Sequence, residues 1–404
     1  MPSGARKYET GTLGSEMRPV DDQGVAREFS LGNDELFVVA ESPESTPFVA
    51  QSVQEHRAIT SRQRGDSQTM RDKKTIVIGA NGQLGTDLLR CFADNVVALT
   101  HDDLEITNAN DVVALFRDVK PSLVVNTAAF HQTARCDQYP AKAYEVNAVG
   151  AVNLAKACDL VDALLVHIST DYVFDGTKGA PYVETDPVRP LSVYGLSKAA
   201  GEAAVMNYCP RHYVVRSCGL YGRVPSRAKG DNFITKVLRT AQNLGEVTVV
   251  DDEIVTPTWT VSLAQQIRRL RDDESSIRYG IVHASDEGQC SWYTFTAEIF
   301  RLTGTAAMLK PVSVAESRPD VRRPRYSVLE NRALNDARAN VMENWRDSLA
   351  RYLESTGQLT SAAKAPQHAP RTRESVASAR TNSDPIPARF DVTRKKYKEW
   401  PPMW

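Results

Sequence analysis

The 404-residue chain contains no apolar run approaching the roughly 20 residues that a membrane-spanning helix requires. Its N-terminus has no continuous apolar core of the kind a secretory signal carries, so a cytoplasmic protein is expected. There is no excess of either charge: a net value of -1 gives no reason to expect nucleic acid or a membrane surface as partner. Six cysteines occur without CxxC or CxxH spacing. Several lie in apolar runs, which favours reduced core thiols over disulfides or zinc ligands, and no metal site is expected. Internal repeats are also missing.

Order is unevenly distributed along the chain. Residues 1–72 mix charge, Ser, Thr and Gln with brief apolar groups such as "LFVVA", and read as a disordered extension. Met70 stands just before "RDKKTIVIGANG", where regular patterning begins, and is a candidate start. From Ser355 to the end a polar, Pro-, Ala-, Ser- and Arg-rich stretch reads as a second disordered tail over 355–404. The folded part is therefore expected at 73–354.

Within it, apolar runs alternate with helical patterns. Thr75–Ala80, Val96–Thr100, Leu123–Ala129, Ala163–Thr170 and Tyr213–Ser217 read as buried strands. Leu84–Phe92, Asn110–Arg117, Pro140–Cys158 and Leu196–Tyr208 read as helices between them. Such alternation implies an α/β fold: a Rossmann-type doubly wound parallel sheet covered on both faces. The regularity fades later, so residues 73–225 are expected to hold a cofactor and 226–354 to build a smaller substrate-binding lobe.

Chemistry enters with "IVIGANGQLG", in which Gly79, Gly82 and Gly85 follow the first strand and precede a helix. A tight turn there lets backbone amides approach a diphosphate at a helix N-terminus. "HISTDYVFDG" puts Ser169, Thr170 and Asp171 at the carboxyl end of another strand, where doubly wound sheets carry their sites. Downstream, "SVYGLSKAAGE" holds Tyr194 and Lys198 one helical turn apart. Chance can supply that spacing alone; with the strand-end threonine and the glycine loop it reads as reductive machinery. A carbonyl that accepts hydride becomes an oxyanion, and Tyr194 is suited to protonate it. Lys198 is expected to favour the phenolate and hold the cofactor ribose, and Thr170 to orient the substrate oxygen. Ala199, Ala200 and Gly201 read as the face by which this helix packs close to the sheet.

The glycine spacing resembles that of extended short-chain dehydrogenase/reductases. The motifs "GANGQLG", "VVNTAAF", "AYEVNAVGAVNLA", "STDYVFDG", "PLSVYGLSKAAGE", "NFITKVLR", "VTPT", "SWYTFTAEIF" and "RPRYSVLEN" run in one order over about Thr75–Leu353 and resemble the dTDP-4-dehydrorhamnose reductases. That resemblance implies reduction of the C4 keto group of dTDP-4-dehydro-L-rhamnose by NADPH or NADH, with Thr170, Tyr194 and Lys198 catalytic. It implies cofactor contacts from Gly82, Gln83, Leu84, Glu105, Ile106, Ala128, Ala129, Tyr194 and Lys198. Substrate contacts are implied for Thr170, Asp171, Asn232 and Arg325, and a homodimer is compatible with it. Thr100 and His101, at the end of the second strand, include no Arg for a 2′-phosphate, which leaves the two cofactors open.

Two departures stand out. The family's tryptophan near the sugar corresponds to Gly219, in "RSCGLYG". Ala134 replaces an acidic residue after the alanine pair, although Asp137 keeps a carboxylate nearby, so a metal-linked dimer contact is not expected. Trp292 and Tyr293 read as core packing. Two other readings share the motifs. A nucleotide-sugar dehydratase or epimerase is disfavoured by Tyr172, which stands where elimination needs a Glu. The other is a regulatory subunit resembling the methionine adenosyltransferase β subunit.

Overall fold

The computed structural model describes residues 74–360, apart from 93–94, 226–229, 275 and 318–321. Met70, the extension over 1–72 and most of the expected tail lie outside the described residues. The chain stays packed past Ser355: the Thr360 amide and hydroxyl both donate to Leu302 O.

Five of the six central strands fall within a residue or a few of the apolar runs: β1 (Thr75–Ile78), β2 (Val96–Leu99), β3 (Leu123–Asn126), β4 (Leu164–Thr170) and β5 (His212–Ser217). Four short strands follow, β6 (Leu220–Tyr221), β7 (Glu246–Val250), β8 (Ile254–Val255) and β9 (Thr258–Trp259), before β10 (Gly280–His283) completes the main sheet. Its order is β10-β5-β4-β3-β1-β2, and every pairing is parallel.

Alternation along each strand builds two cores. Val77, Val125, Val166 and Val215 face one side, where Leu84 and Leu88 of α1 (Gln83–Phe92) meet them. Ile76, Ile78, Val124, Leu165 and Val214 face the other, against Val112 and Phe116 of α2 (Ala109–Val119). With successive crossovers covering opposite faces, the switch in strand order falls between β1 and β3. That crevice is where open α/β sheets bind ligands.

The expected helix Pro140–Cys158 is broken. After α3 (Thr133–Gln138) come α4 (Pro140–Tyr144), one wide π turn (Glu145–Val149) and α5 (Gly150–Leu160). Asn147 lies in the wide turn, buried, with Oδ1 accepting from Phe130 N at 2.8 Å and Nδ2 donating to Phe130 O and Ser197 Oγ. Those three bonds reward a turn that the local sequence alone would not choose. α6 (Val193–Tyr208) starts three residues earlier than expected, because Ser192 Oγ caps the Gly195 amide. Tyr194 thus sits in its first turn. Gly201 is buried on this helix, whereas Ala199 and Ala200 are half-buried.

The later chain is less separable than its sequence suggests. α7 (Phe233–Leu244), β7, α9 (Trp292–Thr303) and the parallel strand β12 (Met308–Val312) do form a lobe, joined by α12 (Trp345–Ser355). But α8 (Thr260–Asp272) returns to the sheet, and its Leu263, Ile267 and Leu270 fill the first core beside α1. The remaining short elements are β11 (Cys290–Ser291), paired with β8, and helices α10 (Val314–Ser317) and α11 (Arg332–Asp336).

Candidate active site

The glycines of the first loop serve different needs. Gly79 has φ +76°, and a side chain there would collide with Thr127 Oγ1 at 2.5 Å. At Gly85 a Cβ would lie 2.2 Å from Gly79 O, so α1 could not approach the loop. Gly82 is another case: the only atom a Cβ would meet within 4 Å is Gly79 O, at 3.2 Å. None of the described residues fills that space, and bare backbone faces outward at the start of a ten-residue helix, where N–H groups of the first turn lack acceptors within the helix. These features fit a dinucleotide's diphosphate. Gln83 points its side chain elsewhere: Oε1 accepts from Gly222 N at 2.8 Å, which ties the loop to the lobe. Leu84 is a core residue, so only its amide can serve a ligand.

The expected adenine pair divides likewise. Ile106 is buried in the second core, and its contribution is apolar packing. Glu105 is half-buried; its Oε1 accepts from Thr107 N and its Oε2 faces His101. Burial pushes its carboxyl up, but the bonds from Thr107 and the charges of His101 and Lys142 outweigh that, and it falls below the usual value. Ala128 and Ala129, small and partly open, continue from β3 into the crevice. The Ala128 amide donates to Asn126 Oδ1 at 3.1 Å.

Thr170, Tyr194 and Lys198 are brought together as the motifs imply. Thr170 Oγ1 accepts from Tyr172 N at 3.2 Å and donates to Asp171 Oδ1 at 2.9 Å. Tyr172 stacks edge-on against Tyr194 with ring centroids 5.8 Å apart. Burial pushes the Tyr194 phenol well above its ordinary value, and Asp171 and Cys136 work with it. The tuning expected from Lys198 is not what the geometry provides. Lys198 Nζ donates to Ile168 O at 2.6 Å and lies 3.2 Å from His167 Nε2, so its hydrogen bonds run into β4. Burial lowers it to about 8, with the Glu202 carboxylate opposing.

Two expected substrate contacts are corrected. Asp171 is 4% exposed and accepts from Thr170 Oγ1 and Cys218 Sγ, with Ser327 also bonded to it. Burial raises its carboxyl despite those donors. It orients Thr170 from behind and has no free face for a ligand. Asn232 caps α7: Oδ1 accepts from Thr235 N, while Nδ2 donates to Gly222 O and Tyr352 OH. A polar residue just before a helix is the ordinary signature of such a cap. Arg325 remains exposed at the rim, paired with Asp252.

Glu202 and Arg216, which hold the site, escaped the motif reading. Glu202, two turns beyond Tyr194, forms a buried double hydrogen bond with Arg216 of β5 at 2.9 and 2.7 Å and accepts from Ser169 Oγ. The signal was present: Tyr194, Lys198 and Glu202 share one face at four-residue spacing. Asp137 Oδ1 accepts from Val193 N at 3.1 Å, fastening α3 to the start of α6. At the lobe side Gly219 has φ +56°, and the nearest side-chain atom to a Cβ placed there is Cη2 of Trp292, at 3.4 Å. Trp292 does pack in the core, 4.6 Å from Phe233 between ring centroids. It also touches the cluster of Val173, Phe174 and Cys218 beside Thr170, so an aromatic edge still reaches the position that lacks one in sequence.

Residues 73–358 match the family model described as the RmlD substrate binding domain. A dTDP-4-dehydrorhamnose reductase of Streptomyces griseus is 39% identical over 282 residues, covering 68% of this chain and 91% of that protein. A dTDP-4-keto-6-deoxy-D-glucose reductase of Streptomyces niveus is also 39% identical, over 68% of this chain and 94% of its own length. The crystal structure of a dTDP-4-dehydrorhamnose reductase from Bacillus anthracis in complex with NADP superimposes with a TM-score of 0.66 at 32% identity, over 70% of this chain and 99% of that one.

Proposed function

This chain belongs to the RmlD family, whose named relatives are dTDP-4-dehydrorhamnose reductases, and from that premise we propose that it reduces the C4 ketone of a dTDP-4-keto-6-deoxyhexose through Thr170, Tyr194 and Lys198. The observation that carries this reading is the meeting of α6 with the end of β4, where Lys198 Nζ donates to Ile168 O and Tyr194 packs on Tyr172 next to Thr170, beside a glycine loop that leaves Gly82 bare. NADPH or NADH, when bound, supplies the hydride that the keto carbon accepts. The residues that would hold it are the Gly82–Gly85 backbone, Ala128, Ala129 and Lys198.

What the chain itself does follows from the site. A phenol raised by burial stays protonated at neutral pH, which suits the donor in a reduction. Its proton goes to the oxyanion that forms at O4. Thr170, held by Asp171 on one side, keeps the phenol and the sugar oxygen in one place. Tyr172 packs edge-on against the Tyr194 ring, and a dry site makes each remaining dipole count for more.

The two Streptomyces relatives are named for different deoxythymidine-diphosphate 4-keto-6-deoxyhexoses, and the contact of Trp292 with Gly219 is where this chain would choose between them. Oxidation of NADPH or NADH at 340 nm with dTDP-4-dehydro-L-rhamnose tests the activity. Tyr194→Phe is expected to lower kcat by at least a hundredfold while cofactor binding, read by fluorescence, is retained. Turnover in that variant near the wild-type rate overturns the role of the phenol.

A further inference from the structure

We propose that Asn126 and His167 are positioning residues that bias Lys198 toward the neutral amine, Asn126 by choosing the imidazole tautomer and His167 by presenting an N–H to the lysine nitrogen. The direction of each bond follows from groups that can only donate. The Ala128 amide lies 3.1 Å from Asn126 Oδ1, which makes that atom the carbonyl oxygen and turns the carboxamide NH2 toward His167. Nδ2 is 3.0 Å from His167 Nδ1. A carboxamide NH2 cannot accept, so Nδ1 carries the lone pair and the neutral ring bears its hydrogen on Nε2. Nε2 is 3.2 Å from Lys198 Nζ.

An N–H facing an ammonium is two donors in contact. An N–H facing an amine is a hydrogen bond. The geometry is therefore satisfied when Nζ offers a lone pair to His167 while donating to Ile168 O at 2.6 Å. To accommodate the ammonium the ring would have to exchange tautomers, which turns Nδ1–H against the Asn126 NH2. Protonation of Lys198 is thus coupled to loss of one buried bond.

The surroundings agree. His167 is 1% exposed, and burial holds its imidazole far below the ordinary range, so it stays neutral. The charged or titratable groups that face Lys198 are Glu202 on its own helix and His167 on β4. The carboxylate of Glu202, which would favour the ammonium, is already shared between Arg216 and Ser169. Asp171 lies on the far side of Thr170, bonded to Cys218.

Asn126→Asp tests this with one isosteric change. A carboxylate accepts both from Ala128 N and from an Nδ1–H, so the ring should switch and Nε2 should accept from the ammonium. Two-bond 1H–15N correlation spectra of 15N-histidine-labelled protein, with His167 assigned by loss of its signal in His167→Phe, are expected to show Nε2–H in the wild type and Nδ1–H in Asn126→Asp. The alkaline limb of kcat is expected to move up by about one pH unit or more in Asn126→Asp, and to return in Asn126→Asp/His167→Phe, where the carboxylate stays but the ring is gone. An Nδ1–H tautomer in the wild type overturns the proposal, as does a limb that does not move or a shift that persists in the double variant. The spectra need no substrate, so they stand whatever the reductase assay gives and require only the wild-type fold.

Discussion

Replacing Arg216 by Ala should expose how the catalytic helix is held. Arg216 and Glu202 are 2% and 3% exposed at the side chain and joined by two hydrogen bonds. Removing one partner of a buried pair leaves an uncompensated charge and costs about 3–5 kcal/mol, whereas replacing both by apolar groups is often near neutral. For a folded unit of this size about 2 °C accompanies each kcal/mol, so Arg216→Ala is expected to lower Tm by roughly 6–10 °C. Arg216→Met/Glu202→Leu should recover most of that, less about 1 kcal/mol for the stranded Ser169 hydroxyl. Because Glu202 shares a face with Tyr194 and Lys198, kcat of Arg216→Ala should also fall by at least tenfold. Differential scanning calorimetry and the 340-nm assay read both effects. A melt of Arg216→Ala within 2 °C of wild type refutes the reasoning. So does a double variant as unstable as the single one, since the loss would then come from volume rather than charge.

Trp292→Ala should raise KM for the dTDP-sugar about tenfold with KM for NADPH unchanged, since the indole edge lies over Gly219 on the lobe side; equal effects on both KM values would make it a packing residue only. His283, buried and in contact with Tyr182 O, is lowered to about 3 by burial first and by Arg216 next. Its folded value lies below the ordinary 6.5, so the unfolded chain binds the proton first and stability drains as pH falls below 6.5. Between pH 6.5 and 5 that is about 2 kcal/mol, which His283→Gln should abolish when urea midpoints are compared at the two pH values.

What could be read from the sequence was whatever rested on local pattern. Runs such as "LVVN" and "LLVHIST" are buried on both faces and announce strands by composition alone. β10 escaped because "GIVH" has only two apolar residues between a glycine and a histidine and takes its identity from lying beside β5. The π turn escaped for a similar reason: Asn147 bonds to Phe130 and Ser197, seventeen and fifty residues away. Thr170, Tyr194 and Lys198 were legible because their spacing sits on elements of known direction. Asp171 and Asn232 were misread as ligand contacts because polarity next to a site does not say which way a side chain turns. His167 carried a usable sign, a polar residue inside a wholly apolar strand, which requires a buried partner.

The strand order has a consequence for synthesis. β5 is buried along its entire length, yet its outer neighbour β10 begins only at Gly280, after the lobe segment has been made. Between Ser217 and His283 the ribosome must add 66 residues (283 − 217), a delay of roughly 3–13 s at typical elongation rates. Throughout that interval "HYVVRS" offers an open apolar edge to any extended chain nearby. The nascent protein therefore passes through a window in which its own catalytic scaffold is a template for aggregation, and chaperone demand should be concentrated there rather than at release.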